Sequence, residues 1–355
     1  MGDEMRVGYS FWGFFGHGIT NTPDGGRSHR RPLLDALIGL GHEVVLLQAN
    51  RDLTEAGDDL TGTYRWDDGL PDLDVLVLEW RWPIPGRNTT ACRSAGHTCD
   101  LHRQRQLLTH YTYRGLPTVI WDKDLQLPGD DELRQRPNVQ IAEAALHPSP
   151  GATSLLFPVP DDRLDAADPV ALARLPRLLP LVYVGNQYDR DDAFDTYFAP
   201  AARVHPHRVA GKWTRTRAWP HVTFTGRIPF SEVEELYRQA LTTMLLLPAR
   251  YQRAGQMTQR LFEAVFGGCL PLTLLTMTTA RDADRFAPPE LHVRDGAHAA
   301  GVIARLGRVA GSSEHVDLLA ACLQRLEIFR LSRQVTVFDA LLSASRRVHT
   351  GVGRR

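Results

Sequence analysis

Residues 248–275 read PARYQRAGQMTQRLFEAVFGGCLPLTLL. Leu261, Phe262, Val265 and Phe266 recur at helical spacing, so the segment predicts a helix with one apolar stripe. Thr258 stands where a helix cap is expected, and Gly267-Gly268 ends the periodic run. CLPLTLL (269–275) follows at once. It is continuously apolar rather than alternating, which is the pattern of a strand buried on both faces. A helix that passes directly into such a strand is the repeating step of a parallel α/β sheet. Glu263 lies within about two turns of the helix start, with Arg260 on an adjacent turn. A carboxylate there can accept hydrogen bonds from both hydroxyls of a cis-diol, because it has two oxygens and no proton to offer. The same pattern equally describes an exposed Glu on an ordinary amphipathic helix.

The alternation extends outward in both directions. Upstream, LVYVG (181–185), ARVHPHRVAG (202–211), HVTFTG (221–226) and TTMLLLP (242–248) read as strands, with a helix near 191–198. A further helix begins at Ser231, where Ser231 and Glu234 have capping-box spacing and Val233, Leu236, Tyr237 and Ala240 form one face. Two helices, about 313–331 and 335–347, close the chain. In the first half the strand runs are RVGYSFW (6–12), HEVVLLQ (42–48), LDVLVLEW (73–80), PTVIWD (117–122) and TSLLFP (153–158). PLLDALIGLG reads as a helix opening at Pro32, and another lies around 102–113. The Pro- and Asp-rich stretch 157–180 separates the two series. The expected organisation is a domain over 1–165, a linker over 166–180, a second domain over 181–332, and a helix over 333–355 that returns to the first. Both domains are predicted to be doubly wound parallel sheets facing a cleft.

Composition narrows the function classes. The 355 residues suit two domains of roughly 150 each, and 43% apolar with 23% charged residues is the balance of a globular protein. Lys+Arg 41 equals Asp+Glu 41, so no basic surplus coats a polyanion. No apolar run of about 18 residues spans a bilayer, and the start has no basic, apolar, small-residue leader pattern. Four cysteines (Cys92, Cys99, Cys269, Cys322) do not make a disulfide scaffold, so a reducing, cytoplasmic setting is expected. Among 41 cationic residues only Lys123 and Lys212 are lysines. A GC-rich genome explains this blandly. Alternatively, arginine cannot replace these two.

Lys212 and Arg227 each follow a predicted strand, where the ends of parallel strands face a ligand. The loop GFFGHGITNTPDGGRSHRRP (13–32) follows the first strand; Gly16 and its other glycines permit close backbone approach, and His17, Asp24, Arg27 and His29 supply polar groups. It lacks the G-x-G-x-x-G spacing, and Gln48 stands where the next strand would end in an acid, so dinucleotide binding is disfavoured. WDKD (121–124) ends another strand: Asp122 and Asp124 suit an acceptor hydroxyl or a base, and Asp122 equally suits capping a turn. Trp82 follows the strand before it, and the five tryptophans of the first half place aromatic surface on that side. Arg27, Arg30 and Arg31, or Arg103 and Arg105, form local basic patches; Arg30 and Arg31 also suit a solvated helix start. Cys92, His97, Cys99 and His102 have zinc-ligand chemistry, but C-x4-H-x-C-x2-H is not a familiar spacing and no metal site is expected.

Strand, helix with R-x-FEA-x-x-x-G, then C-x-P-L resembles the nucleotide-sugar segment of GT-B glycosyltransferases. The resemblance is nearest to retaining families with the EA-x-x-x-G-x-P signature and to bacterial CgeB-like relatives. YVGNQYDR (183–190), RVAGKW (208–213) and VTFTGRIPFSEVEELYRQA (222–240) fall in matching order. The match covers about 180–275, with the first half similar in layout only. It implies a donor site of Gly185, Asn186, Lys212, Arg227, Gln256, Arg260 and Glu263, with Glu263 on the ribose and Lys212 and Arg227 on the diphosphate. Gly255 occupies the position where families with paired glutamates carry an acid, so a carboxylate on the donor sugar is absent. On the acceptor side the implied residues are Gly16, Asp24, Arg27, His29, Trp82 and Asp124, and the candidate catalytic residues are Asp122, His17 and Lys212. The implied activity is hexosyl or pentosyl transfer from a nucleoside diphosphate sugar with retention, without metal or resident cofactor. The acceptor stays open among a small molecule, a polysaccharide, a protein and a modified base. A nucleotide-sugar epimerase or hydrolase, or a non-catalytic sugar- or nucleic-acid-binding module of the same fold, are the alternatives.

Overall fold

The computed structural model describes residues 4–16, 26–276 and 280–352. The chain divides into two compact units. The first holds the described residues up to Pro158 together with the closing helix from Leu331, and the second holds Val159–Arg330.

The first unit is built on strands β1 (Arg6–Ser10), β2 (Glu43–Leu46), β3 (Arg65–Trp66), β4 (Val75–Glu79), β5 (Thr118–Asp122), β6 (Val139–Glu143) and β7 (Ala152–Ser154). They form one sheet of order β3-β2-β1-β4-β5-β6-β7, parallel throughout. The continuous apolar runs became its centre: every residue of β4 and β5 is buried. Leu76, Leu78 and Ile120 pack against Leu107 and Leu108 of helix Asp100–His110 and Tyr111 just after it. Helix Arg27–Gly39 and the closing helix Leu331–Val352 lie against each other, and the closing helix also touches β4, β5 and β6. Gln334 of that helix accepts a hydrogen bond from the Leu156 backbone at 2.8 Å, and His42 meets Asp339 at 3.3 Å.

The second unit carries β8 (Leu179–Val184), β9 (His207–Ala210), β10 (Phe224–Gly226), β11 (Ala240–Met244), β12 (Leu270–Leu274) and β13 (His292–Val293), again all parallel, in the order β10-β9-β8-β11-β12-β13. Val182, Val184 and Ala210 pack against Val233, Leu236 and Tyr237 of helix Phe230–Arg238 and Ala264 of helix Arg260–Phe266. In both sheets the first strand sits inside, the next two run to one side, and the rest run to the other. The winding therefore reverses beside β1 and beside β8, and the carboxyl ends of the flanking strands open a crevice at each reversal. No helix among the described residues is long and apolar enough to cross a membrane.

Several local expectations are corrected. The first helix begins at Arg27 and contains Pro32, because burial of Arg30 holds the preceding turn helical. Thr258 makes no cap: the helix opens at Arg260 after Gln259, and no side chain caps it. The Ser231–Glu234 box does not form, since the helix starts at Phe230 after Pro229 and Glu234 pairs instead with Arg163 at 2.9 Å. The expected linker 166–180 is part of the second unit, with a helix at Pro169–Ala173 capped by Asp168. It is fastened by Arg177, which donates to the carbonyls of Leu172, Arg238, Ala240 and Gly267. Strand β6 was not anticipated, since its five residues lie in a polar stretch.

Candidate functional site

At the reversal of the second sheet, adjacent strand ends are tied loop to loop. Gly185, just past β8, donates to the Ala210 carbonyl at 2.8 Å, and Gly211, just past β9, donates to the Gly226 carbonyl at 2.8 Å. The Asn186 side chain accepts from the Lys212 amide at 2.7 Å, and Trp213 Nε1 donates to the Gly185 carbonyl at 2.9 Å. Gly211 has φ +143°, and a Cβ there would stand 2.0 Å from the Gly185 carbonyl oxygen, so only glycine allows this approach. The ties bring Gly185, Asn186, Lys212 and Arg227 to one edge. The Lys212 ammonium is exposed and has no protein partner among the described residues. Arg227 Nε is buried, likewise with no hydrogen-bond partner among them. Beside them an open depression of about 600 Å³ is lined by Trp213, Trp219, Phe224 and Arg217.

Arg260 and Glu263 are joined by a charge-assisted hydrogen bond from Arg260 Nη1 to Glu263 Oε2. Burial alone would lower the Arg260 pKa, but Glu263 outweighs it, so the net direction is upward and the guanidinium is firmly charged. Glu263 Oε1 is buried and has no hydrogen-bond partner among the described residues. The carboxylate thus has one oxygen held by protein and one not, a narrower offer than two free oxygens. Tyr183 connects the two parts of the edge: its ring packs against Trp213 at 5.9 Å and lies within electrostatic reach of Arg260. Gln256 is fully buried just before this helix.

At the reversal of the first sheet one buried carboxylate is satisfied from within. Glu79, the last residue of β4, is buried and receives Arg30 Nε at 2.8 Å and Nη2 at 2.9 Å, Lys123 Nζ at 2.5 Å, and the Tyr9 hydroxyl at 2.7 Å. Burial pushes the Glu79 carboxyl up, but Arg30 and Lys123 outweigh it and hold it well below the usual range. Arg30 is fully buried, so it is not a solvated helix start. Asp122 is fully buried too, and its oxygens accept from the amides of Gln126 at 3.0 Å and Leu127 at 2.7 Å. Of its two sequence readings, the turn-forming one holds, and its burial, which raises the pKa, leaves no accessible catalytic carboxylate. His29 lies between Phe157 and Trp121, with ring centroids at 4.5 and 5.5 Å, and Arg27 is buried over Phe14. Trp121 is core, its Nε1 donating to the Leu155 carbonyl. These are interior groups rather than an acceptor surface. Gly16 donates to Asp52 Oδ1 at 2.7 Å, next to Phe15 at 2.9 Å, and burial raises the Asp52 carboxyl. His17 and Asp24 lie outside the described residues.

A half-buried Trp12 marks the open part of this edge. The guanidiniums of Arg87, Arg51 and Arg81 lie 3.9, 5.3 and 5.5 Å from its ring centre, and Arg81 also stands 5.7 Å from Trp82. Asp124 is half-buried nearby in sequence, after β5. Glu79, Arg30 and the Trp12–arginine cluster were missed from the sequence. The available signal was Glu79 itself, an acid ending the apolar run VLVL.

No family model matches this chain, and neither does any curated protein. Solved structures do. T4 phage β-glucosyltransferase is 12% identical with a TM-score of 0.63, over 95% of this chain and 99% of that one. It has been solved with UDP and Mn2+. AviGT4, a glycosyltransferase involved in avilamycin A biosynthesis, is 15% identical with a TM-score of 0.57, over 98% of each chain. An α-glucosyltransferase solved with UDP-glucose and DNA containing an abasic site is 11% identical with a TM-score of 0.60, over 96% of this chain and all of that one. The fold is therefore the two-domain GT-B fold of glycosyltransferases.

Proposed function

We propose that the chain is a glycosyltransferase that takes a sugar from a nucleoside diphosphate sugar, bound at the carboxyl edge of the second sheet. The observation that carries this reading is the unmatched chemistry there. Lys212 and Arg227 Nε are cationic donors without protein partners, and Glu263 Oε1 is a buried acceptor without one, all among the described residues. Buried polar groups such as Arg227 Nε and Glu263 Oε1 normally have partners, so the edge suits a ligand with an anionic part and a hydroxyl-bearing part. Glu263 holds ribose through Oε1 while Arg260 fixes its other oxygen. Lys212 and Arg227 take the diphosphate, with Asn186 and the Gly185–Gly211 approach shaping the loop around it. Gln256 borders the sugar.

As the bond from the anomeric carbon to the diphosphate oxygen breaks, its electron pair passes to the diphosphate. Fixed cations there stabilise the transition state more than the ground state. The acceptor oxygen bonds to the anomeric carbon, and its proton passes to the departing diphosphate on the same face. Retention rests on the resemblance of 260–271 to the EA-x-x-x-G-x-P segment. The fold does not decide stereochemistry, since its neighbours include both a β- and an α-glucosyltransferase. NMR of the product's anomeric proton tests it.

UDP-glucose is the donor to try first, because neighbours have been solved with it. A modified DNA base is the acceptor to try first. One neighbour has been solved with DNA, and the Trp12 face with Arg51, Arg81 and Arg87 offers stacking and cationic contacts suited to it. Incubation with radiolabelled UDP-glucose and DNA carrying a hydroxylated base tests both. Donor consumption without transfer to any acceptor would instead favour a hydrolase or epimerase. Activity equal with and without added Mn2+ is expected if Lys212 and Arg227 suffice for the diphosphate.

A further inference from the structure

The connection between β4 and helix Asp100–His110 runs for some 20 residues, 80–99, without a strand or helix of its own. Something must hold so long a segment, and part of the answer is Asn88. It accepts from the Ile84 amide at 2.6 Å and donates to the Trp82 carbonyl at 3.0 Å and to Asp100 at 3.2 Å. That network anchors the beginning of the segment and its junction with the helix. The outer part, around Cys92–Cys99, is tied in at Thr98, which donates to Asp100 at 2.6 Å, and three chemistry-bearing side chains of this outer part meet a fourth from the helix. One ligand atom each from Cys92, His97, Cys99 and His102 lies within 4.8 Å of every other.

We infer that these four side chains form a structural zinc site. Two thiolates and two imidazoles are the donor set that tetrahedral Zn2+ takes in closed structural sites. Zinc–sulfur and zinc–nitrogen bonds of about 2.3 and 2.0–2.1 Å place ligand atoms roughly 3.3–3.8 Å apart, so the group closes on an ion with side-chain shifts of about an ångström. Cys92 Sγ and His102 Nδ1 already stand 3.2 Å apart. The outer shell is set as a zinc histidine requires. His97 Nδ1 is hydrogen-bonded to the Thr90 hydroxyl at 3.0 Å, which leaves Nε2 as the metal-facing nitrogen. That Nε2 is buried and has no hydrogen-bond partner among the described residues. The C-x4-H-x-C-x2-H spacing is unfamiliar, but spacing is only a proxy for convergence. Here Gly96 and Arg93, both with positive φ, turn the loop back so that a short spacing converges. Binding releases the two thiol protons, and the ion ties the outer loop to the helix. The same segment carries Trp82 and Arg87 beside Trp12, so the ion also fixes the open face of the first unit.

Elemental analysis of the full-length chain, purified under reducing conditions without chelator, tests the inference. About one zinc per chain is expected, falling below roughly a tenth of that in a Cys92→Ser, Cys99→Ser double variant and in His97→Ala. Because a variant that loses zinc can also lose its fold, Co2+ exchange into the wild-type chain gives a second measurement. Tetrahedral thiolate-bound cobalt produces intense visible bands and a near-ultraviolet sulfur-to-metal band. Trypsin cleavage after the exposed Arg93 should accelerate about tenfold when a chelator removes the ion. A wild-type chain free of zinc after dialysis against it, a double variant that keeps its zinc, or a Cys92–Cys99 disulfide in place of metal would overturn the site. Cleavage unaffected by chelator would overturn its role in holding the loop. None of these readouts depends on transferase activity.

Discussion

The two sheet reversals have the same strand order and opposite electrostatics. Beside β1, a buried carboxylate, Glu79, is enclosed by Arg30, Lys123 and Tyr9. Beside β8, the Lys212 ammonium and Arg227 Nε face no protein partner among the described residues, and Glu263 keeps one oxygen uncommitted among them. A polar group satisfied from within contributes to holding the fold. A polar group left open forgoes that contribution and is free for a ligand. The contrast fits a structural role for the Glu79 cluster and the ligand role proposed for the second edge.

The most severe way to break this comparison is Glu79→Ala. It removes the buried carboxylate that Arg30 and Lys123 both meet, and a loss of about 3–5 kcal/mol is expected in urea unfolding followed by fluorescence. A loss under 1 kcal/mol would mean that the first edge is not a stability device. Acid separates the units differently. His315, in the second unit, is neutral in the fold: burial, with Arg177 nearby, depresses its pKa to about 4, and its Nδ1 accepts from the Gly311 amide at 3.0 Å. The unfolded chain takes up that proton nearer pH 6.5, so the His315 contribution is complete above that pH and is lost as pH falls toward 4. Roughly 2 kcal/mol is expected to disappear across this window, while the depressed Glu79 stays ionised. Thermal melts at pH 7 and pH 5 with His315→Gln as control check this, since the variant should be flatter with pH.

Glu263→Ala should weaken UDP or UDP-glucose binding at least tenfold, about 1.4 kcal/mol, together with a loss of stability, because Arg260 loses its carboxylate partner. Calorimetric titration with several nucleotides measures it, and unchanged affinity for all of them would remove Glu263 from the site. The finest comparison swaps the two lysines in turn. Lys123→Arg forces a larger head group into a buried pocket beside Glu79, and should lower stability by roughly 1–3 kcal/mol. Lys212→Arg should leave stability within about 0.5 kcal/mol while reducing transfer rate. Full activity in Lys212→Arg would return its rarity to codon usage.

Sequence reading was reliable where one physical cause acts over a short stretch. Runs such as VLVLE (75–79), TVIWD (118–122) and LPLTL (270–274) are strands because their residues have no polar face to show water. It failed at helix starts, where Pro32, Thr258 and Ser231 each offered a plausible local signal that packing overrode. It missed β6, whose pairing with β5 and β7 outweighs its mixed composition. At the candidate sites it placed Gly185, Lys212, Arg227 and Asp122 at or just past strand ends, as the structure does, because each strand run is legible in its own residues. It did not sort the groups on those ends. Asp122 and Glu263 were comparable candidates in sequence, yet one spends its oxygens on amides two to five residues onward and the other keeps one uncommitted.

Apolar periodicity and the placement of glycines therefore determined by themselves that this chain forms two parallel α/β units with loops gathered at the strand ends. Only the tertiary structure decided which charges those loops leave open. Arg30, Glu79 and Lys123 are separated by 49 and 44 residues, and Cys92 and His102 by ten. Charge pairing and ligand convergence depend on ångström distances between such residues, whereas burial of a strand needs only its own few side chains to be apolar.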